Sequence, residues 1–295
     1  MAVLTARPRV AVQNIVLTTD FSPASELSLS YAISIARHYG SKIHLVHALQ
    51  PHGTAADALE PVLSETEAQA RMESIATRYA DVECSRWLFK GTPLDVVDRI
   101  LSFDQADLVV IGTHGAKGFR KAATGAAAEH FFRHVQCPLL AVGPAAKACG
   151  AAWDPKHVLL ATDLQSTESS ATRCAVFLAR EHSARLALLH VAPPAAAPFP
   201  EDQELIVRPY FESRLRELLS YKPHLEYPAE FRVEFGPDPA AEILRVAQDQ
   251  GTDLLVLSVH RQEPWGFHFV HEAYRIVAEA PCPVLITHRR ECSQL

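Results

Sequence analysis

An apolar run closing on Thr-Asp occurs twice in this chain, 143 residues apart. Ile15-Val16-Leu17-Thr18-Thr19-Asp20 returns as Val158-Leu159-Leu160-Ala161-Thr162-Asp163, and Ile43-His44-Leu45-Val46-His47-Ala48 returns as Leu186-Ala187-Leu188-Leu189-His190-Val191 at the same spacing. Further on, Gly91 answers to Gly236, Asp107 to Asp253 and Cys137-Pro138 to Cys282-Pro283, at spacings of 145, 146 and 145. A fixed internal period determines architecture before any local propensity does. One unit has been duplicated, and 295 residues divide into two units of ordinary domain size.

Inside each unit short apolar runs alternate with longer amphipathic ones. In the first, strands are expected over Ile15–Thr19, Ile43–Ala48, Glu83–Phe89, Leu108–Ile111 and Leu139–Val142. Helices are expected over Ala24–Tyr39, closed by Gly40, and over Asp57–Ala80, Leu94–Phe103 and Ala126–Val135. The strands are nearly continuous Val, Ile and Leu, the pattern of a sheet covered on both faces. Strand and helix in strict alternation imply an open parallel α/β sheet with right-handed crossovers. Pro144–Lys156, rich in Ala with Gly150 and Pro155, reads as the junction, and Pro193–Pro200 as a loop of the second unit. The two strands after the Cys-Pro steps, Leu139–Val142 and Val284–Thr287, are too apolar to stand as open edges. An antiparallel pairing of these two strands within the chain is therefore expected, and further dimerisation stays open.

Composition narrows the function. Lys and Arg number 28 against 34 Asp and Glu, a formal charge of −6, so no basic surplus is available to coat a nucleic acid. Met1–Val10 carries Arg7 and Arg9 without an apolar stretch behind them, and Leu186–Pro200 is broken by Pro193, Pro194 and Pro198. Neither a secretory signal nor a membrane span is expected, and the chain reads as cytoplasmic. Cys84, Cys137, Cys149, Cys174, Cys282 and Cys292 form no C-x-x-C pair and read as small reduced thiols. His130 with His134, and His268 with His271, have no acid or thiol at a recognised metal spacing, so no metal site is expected.

Glycines cluster at the end of one strand: Gly112-Thr113-His114-Gly115-Ala116-Lys117-Gly118, then Gly125-Ala126 at the opening of a helix. In open α/β sheets ligands sit beyond the carboxyl ends of the strands where strand order reverses. Without a Cβ, Gly112 and Gly115 let backbone amides come close to phosphate oxygens. Gly125 precedes free helix N–H groups that favour an anion. Glycines after a strand also make tight turns, and spacing alone leaves the two readings level.

Taken in order, Thr-Thr-Asp20-Phe-Ser, Leu-Val-His47, Gly112-Thr-His-Gly115, Gly125-Ala-Ala-Ala-Glu129 and Cys137-Pro138 resemble the universal stress protein family in its tandem two-domain form, from about Val12 to Thr287. The resemblance implies two five-stranded sheets ordered 3-2-1-4-5, helices on both faces, related by a pseudo-twofold axis. The domains would be residues 1–146 and 153–295. It implies ATP or another adenine nucleotide, with Mg as an open companion, in the first domain. Asp20 would meet the adenosine end, Ala48 would offer its backbone to the base, and Gly112, Gly115 and Gly125 would wrap the phosphates with the amides of Ala126 and Ala127 behind them. Ala126 departs from the family, which carries Ser or Thr there, at a cost of about 1.5–3 kcal/mol for a lost hydroxyl contact. Lys117, Arg120 and Lys121 offset part of that loss. In the second unit Gly112 becomes Ser258, Gly115 becomes Arg261, Gly125 becomes His271 and Ala126 becomes Glu272, near the expected start of a helix, so that half reads as nucleotide-free.

Recognised catalytic motifs are absent: there is no G-x-x-x-x-G-K-[ST], H-E-x-x-H or G-x-S-x-G. His114 reads as a residue of the turn rather than a base. Asp20 suits a ribose or metal ion, and equally a helix-cap neighbour. The leading expectation is a non-catalytic stress-response module. A nucleotide-free scaffold acting through an unknown protein partner, and a slow ATP hydrolase, are the alternatives.

Overall fold

The computed structural model describes residues 12–49, 63–91, 99, 106–113, 135, 137–150, 152–165, 170–193, 203–220, 224–259 and 266–288. The strands are β1 (Asn14–Thr18), β2 (Lys42–Leu49), β3 (Cys84–Lys90), β4 (Leu108–Gly112), β5 (Leu139–Val142), β6 (His157–Ala161), β7 (Arg185–Ala192), β8 (Glu230–Phe235), β9 (Leu254–Val259) and β10 (Val284–His288). The described helices are α1 (Pro23–Tyr39), α2 (Glu65–Arg78), α3 (Ser170–Glu181), α4 (Gln203–Glu217), α5 (Pro239–Asp249) and α6 (Gly266–Glu279).

All ten described strands join one sheet, in the order β3-β2-β1-β4-β5-β10-β9-β6-β7-β8. Pairing is parallel within each half, so each half has the expected 3-2-1-4-5 order and the second runs as the first reversed. The halves meet where β5 and β10 pair antiparallel, with Leu140 opposite Leu285, Ala141 opposite Val284 and Leu139 opposite Ile286. Leu140 and Leu285 are repeat equivalents, so the pseudo-twofold axis passes through a pair of like residues. Successive strand residues serve opposite faces. Ile15 and Leu17 belong to the apolar layer that includes residues of α1, α2, α3 and α4, while Val16 belongs to the layer that includes residues of α5 and α6. This double burial is why the central strands are apolar throughout. Both apolar layers draw residues from the two units, so the core does not stop at the seam.

The repeat landmarks that carry no ligand chemistry have structural reasons. Asp107 Oδ2 accepts the backbone N–H groups of Gln13 and Asn14, both at 2.8 Å, and Asp253 Oδ2 accepts those of Lys156 and His157 at 2.9 and 3.1 Å. Each Asp thus holds the start of its unit's first strand beside the fourth. The junction is docked on both units. Tyr31 Oη donates to the Lys147 carbonyl at 2.7 Å, Trp153 N donates to Ser34 Oγ at 2.6 Å, and Lys147 N donates to the Pro281 carbonyl at 3.1 Å. Gly143, just past β5, lies against α6, where a Cβ would come 1.9 Å from the Val277 carbonyl oxygen. A polar patch also crosses the seam. His38 Nε2 is 3.3 Å from Glu181 Oε1, His182 Nδ1 is 3.1 Å from Asp154 Oδ1, and the two imidazoles stack at 5.0 Å.

Most element boundaries lie within a residue or two of expectation, and the start of α2 is the large departure. β1 begins and ends one residue early. α2 starts at Glu65 rather than Asp57, because Ser64 closes a capping box: its Oγ accepts from Glu67 N at 3.3 Å while Glu67 Oε2 accepts from Ser64 N at 2.9 Å. Amphipathic periodicity alone runs through that stop signal; residues 57–62 lie outside the described residues. Of the helices expected at 94–103 and 126–135, only Arg99, which is helical, and Val135, which is buried, are described. Of the loop expected at 193–200 only Pro193 is.

Candidate functional site

The chain leaves β1 through α1 toward β2 and leaves β4 in the opposite direction toward β5, so the sheet's strand order reverses between these neighbours. Asp20 lies just past β1 and Gly112 ends β4. The Asp20 side chain is exposed and tightly oriented: Oδ1 accepts from Ser22 N at 3.0 Å and from Ser25 Oγ, while Asp20 N donates to Ser25 Oγ at 3.1 Å. Ser22 in turn caps α1, accepting from Ser25 N at 3.2 Å. The carboxylate is therefore held by the same serines that start the helix, as the helix-cap reading of Asp20 expects. Ser25 lies outside the quoted motif, although Asp-x-Ser-x-x-Ser before an apolar helix is a capping signature.

Ala48 sits two residues past Val46, whose carbonyl accepts from Thr19 N at 2.9 Å. Alternate residues of a strand aim their backbone groups at the same neighbour. Ala48 therefore directs its backbone toward the place β1 has vacated. Gly112 has a packing reason of its own. A Cβ there would lie 2.4 Å from the Ala24 carbonyl oxygen and 3.0 Å from Ser25 N, so the glycine admits the first turn of α1. It is the last residue of β4. The next residue, Thr113, is buried with a hydroxyl that has no hydrogen-bond partner. Gly115, Gly125, Ala126 and Ala127 lie outside the described residues, as do His114, Lys117, Phe119, Arg120 and Lys121.

Phe21 adopts a left-handed backbone, φ 61, an expensive conformation for a bulky residue. Its ring meets His47 at 4.6 Å, and His47 Nδ1 donates to the Thr19 carbonyl at 2.8 Å. Burial pushes the His47 imidazole below its ordinary pKa, against that hydrogen bond and the nearby Asp20 charge. The duplicate supplies an internal control. Leu164 has φ 62, His190 Nδ1 donates to the Thr162 carbonyl at 2.9 Å, and Asp163 Oδ1 accepts from Gln165 N at 3.0 Å. Strain after the Asp is thus a property of the fold, repeated whether or not the glycine loop survives.

The second crevice differs where the first has glycines. Ser258 occupies the position of Gly112, near the end of β9, and its buried hydroxyl has no hydrogen-bond partner. α6 already begins at Gly266, so Glu272 is its seventh residue, nearly two turns inside. This corrects the expected helix-terminal position of Glu272: a macrodipole effect is confined to the first turn and does not reach it. The backbone amides around His271 are spent within the helix instead of facing an anion. Arg261 lies outside the described residues, as does the side chain of His271. Among the described residues there is no group of three His, Cys, Asp or Glu able to hold a metal ion, and no helix is long and apolar enough to cross a membrane.

Comparison with known proteins accords with this architecture. The sequence profile of the Universal stress protein family matches twice, over residues 11–143 and 155–288. A universal stress protein of Thermus aquaticus is 30% identical over 140 residues, covering 44% of this chain and 97% of the relative. One of Methanocaldococcus jannaschii is 25% identical over 139 residues, covering 44% of this chain and 81% of its own. Among solved structures, a universal stress protein from Archaeoglobus fulgidus aligns over 94% of this chain and 99% of its own with TM-score 0.68 at 14% identity. A putative universal stress protein from Pseudomonas aeruginosa aligns over 95% and 94% with TM-score 0.61 at 16% identity. At such identities the structures speak for the fold.

Proposed function

This chain belongs to the universal stress protein family, carrying the family's sequence twice, and on that premise we propose that it is a non-catalytic cytoplasmic stress-response protein. In this reading the first unit, residues 1–146, binds ATP or another adenine nucleotide. The second, residues 153–295, retains the fold without the ligand. The observation that carries the reading is the contrast between two crevices of one origin: the first keeps Gly115 and Gly125 where the second has Arg261 and His271.

The residues present fit a nucleoside. The Asp20 carboxylate is exposed, oriented by Ser22 and Ser25, and able to accept from ribose hydroxyls. The backbone edge of Ala48 faces the same crevice and suits the donor and acceptor edge of adenine. Gly112, Gly115 and Gly125, with the amides of Ala126 and Ala127, would hold the phosphates, and Mg would accompany them. When bound, the nucleotide supplies a polyanion and a planar base; the chain's own groups bind and orient it. Titration calorimetry of the purified chain with ATP should give about one site per chain, lost in Gly115→Arg, which copies the second unit into the first. Two sites per chain would overturn the asymmetry. No binding at all would leave the scaffold acting through a protein partner.

A further inference from the structure

Arg71 projects from α2 so that its guanidinium lies over the Phe21 ring, 5.5 Å from the centroid. Phe21 follows Asp20 and touches His47, the residue before Ala48, so this cation stands at the β1–β2 end of the crevice, away from the end of β4. Helical spacing offers Arg71 one acid, Glu67 four residues earlier. The Glu67 carboxylate is engaged elsewhere, its Oε2 accepting from Ser64 N at 2.9 Å and Ser64 Oγ at 2.7 Å. The other neighbouring position, three residues on, is the exposed Ser74. Among the described residues no carboxylate pairs with Arg71.

The second unit has the opposite arrangement. Arg214, the repeat equivalent of Arg71, places Nε 3.5 Å from Glu217 Oε2 and Nη2 3.5 Å from the Leu164 carbonyl oxygen. Glu217 stands where the first unit has Ser74. Leu164 replaces Phe21, and the aromatic partner of His190 comes instead from Phe211, at the position of Ala68, with ring centroids 4.7 Å apart. Among the described residues the cation thus lies on an aromatic shelf without an ion-paired carboxylate, beside the crevice that keeps its glycines in sequence. It is tied down beside the crevice that has lost them.

We propose that Arg71 is a specificity-determining residue that contacts the base of the nucleotide, an inference that rests on the nucleotide reading of the first unit. A guanidinium is planar, stacks on aromatic faces and donates through a rigid fork, which suits the face and ring nitrogens of a purine. Its place beside Asp20 and Ala48 sets it at the nucleoside rather than the phosphates. The test is calorimetry with ATP and with adenosine on the wild type, Arg71→Gln and Ser74→Glu. The last recreates the Arg214–Glu217 pair on an exposed helical position and leaves Arg71 itself in place. Both variants should weaken both ligands by the same factor, about three- to tenfold. Loss for ATP alone would assign Arg71 to the phosphates and overturn the proposal, as would unchanged affinity for both. If the wild type binds neither ligand, the nucleotide reading itself fails and takes this one with it.

Discussion

Gly143→Ala is the sharpest test of the seam. The added Cβ would lie 1.9 Å from the Val277 carbonyl oxygen and 3.1 Å from its carbon, where ordinary contact begins at 3.4 Å. The end of β5 and helix α6 must therefore part by about 1.5 Å, and both sides of the clash are backbone, so no rotamer change relieves it. Overpacking of this kind costs about 1–3 kcal/mol, and a rigid backbone contact belongs at the upper end, about 3 kcal/mol. At roughly 2–4 °C per kcal/mol for larger chains, the thermal midpoint should fall by about 6–12 °C. Gly150→Ala is the control, because a Cβ there meets nothing within 4 Å. Scanning calorimetry measures the midpoints, and amide exchange at Leu140 and Leu285 reports the seam directly. Exchange at both should accelerate in Gly143→Ala. Equal midpoints for the two variants, or destabilisation with the Leu140 and Leu285 amides still fully protected, would refute the close-packed seam.

Three further outcomes are expected. Restoring the family hydroxyl with Ala126→Ser should tighten ATP binding about tenfold, or about 1.4 kcal/mol; an unchanged dissociation constant in calorimetry would remove the side chain of residue 126 from the site. Gly112→Ala should lower stability by about 1–3 kcal/mol in urea with no nucleotide present, because the obstacle is Ala24. A loss of ligand affinity at unaltered stability would return that glycine to the phosphate reading. Burial lowers the pKa of His44, His47, His182 and His190, so the folded chain keeps these rings neutral after the unfolded chain has taken up protons. Their contribution is complete above about pH 6.5 and is lost as pH falls from there toward the depressed values, so the urea midpoint should be lower at about pH 5.5 than at about pH 7.5. A midpoint that is flat or rising on acidification would contradict these environments.

The sheet order, the covered faces and the seam were legible because they follow from repetition and from central strands that have no polar face. Val16 and Leu17 must both be buried, so helices lie on both sides. Leu139–Val142 and Val284–Thr287 needed cover, and each is the other's. The start of α2 was legible in principle from Ser64 and Glu67, but hydrophobic periodicity outweighs a two-residue signal when it is read alone. Gly112 shows the limit of motif reading at the site: the pattern reports that a Cβ is excluded there, and only the neighbouring Ala24 carbonyl says by what. Glu272 shows another. Its role depends on where a helix begins, and the repeat places α6 by analogy with a unit whose corresponding loop has a different sequence. Arg71 carries no motif, and its setting emerges only when Ser74 and Glu217 are compared as equivalents.

Because β5 and β10 lie on one chain, the contact between units escapes mass action. Two separate copies of such a unit would associate according to their concentration and separate on dilution. A covalent tether holds the second unit at an effective concentration of about millimolar, however scarce the protein is. The tethered unit is therefore the favoured partner at any protein concentration below that value. That preference separates two demands on the sequence. The second unit can supply Leu285 on the axis and Val277 against Gly143 while its crevice is free to change, since the tether does not favour placing two altered crevices together. With the central strands engaged, the outermost strands of the sheet are β3 and β8, and any larger assembly has to be built from a surface other than this seam.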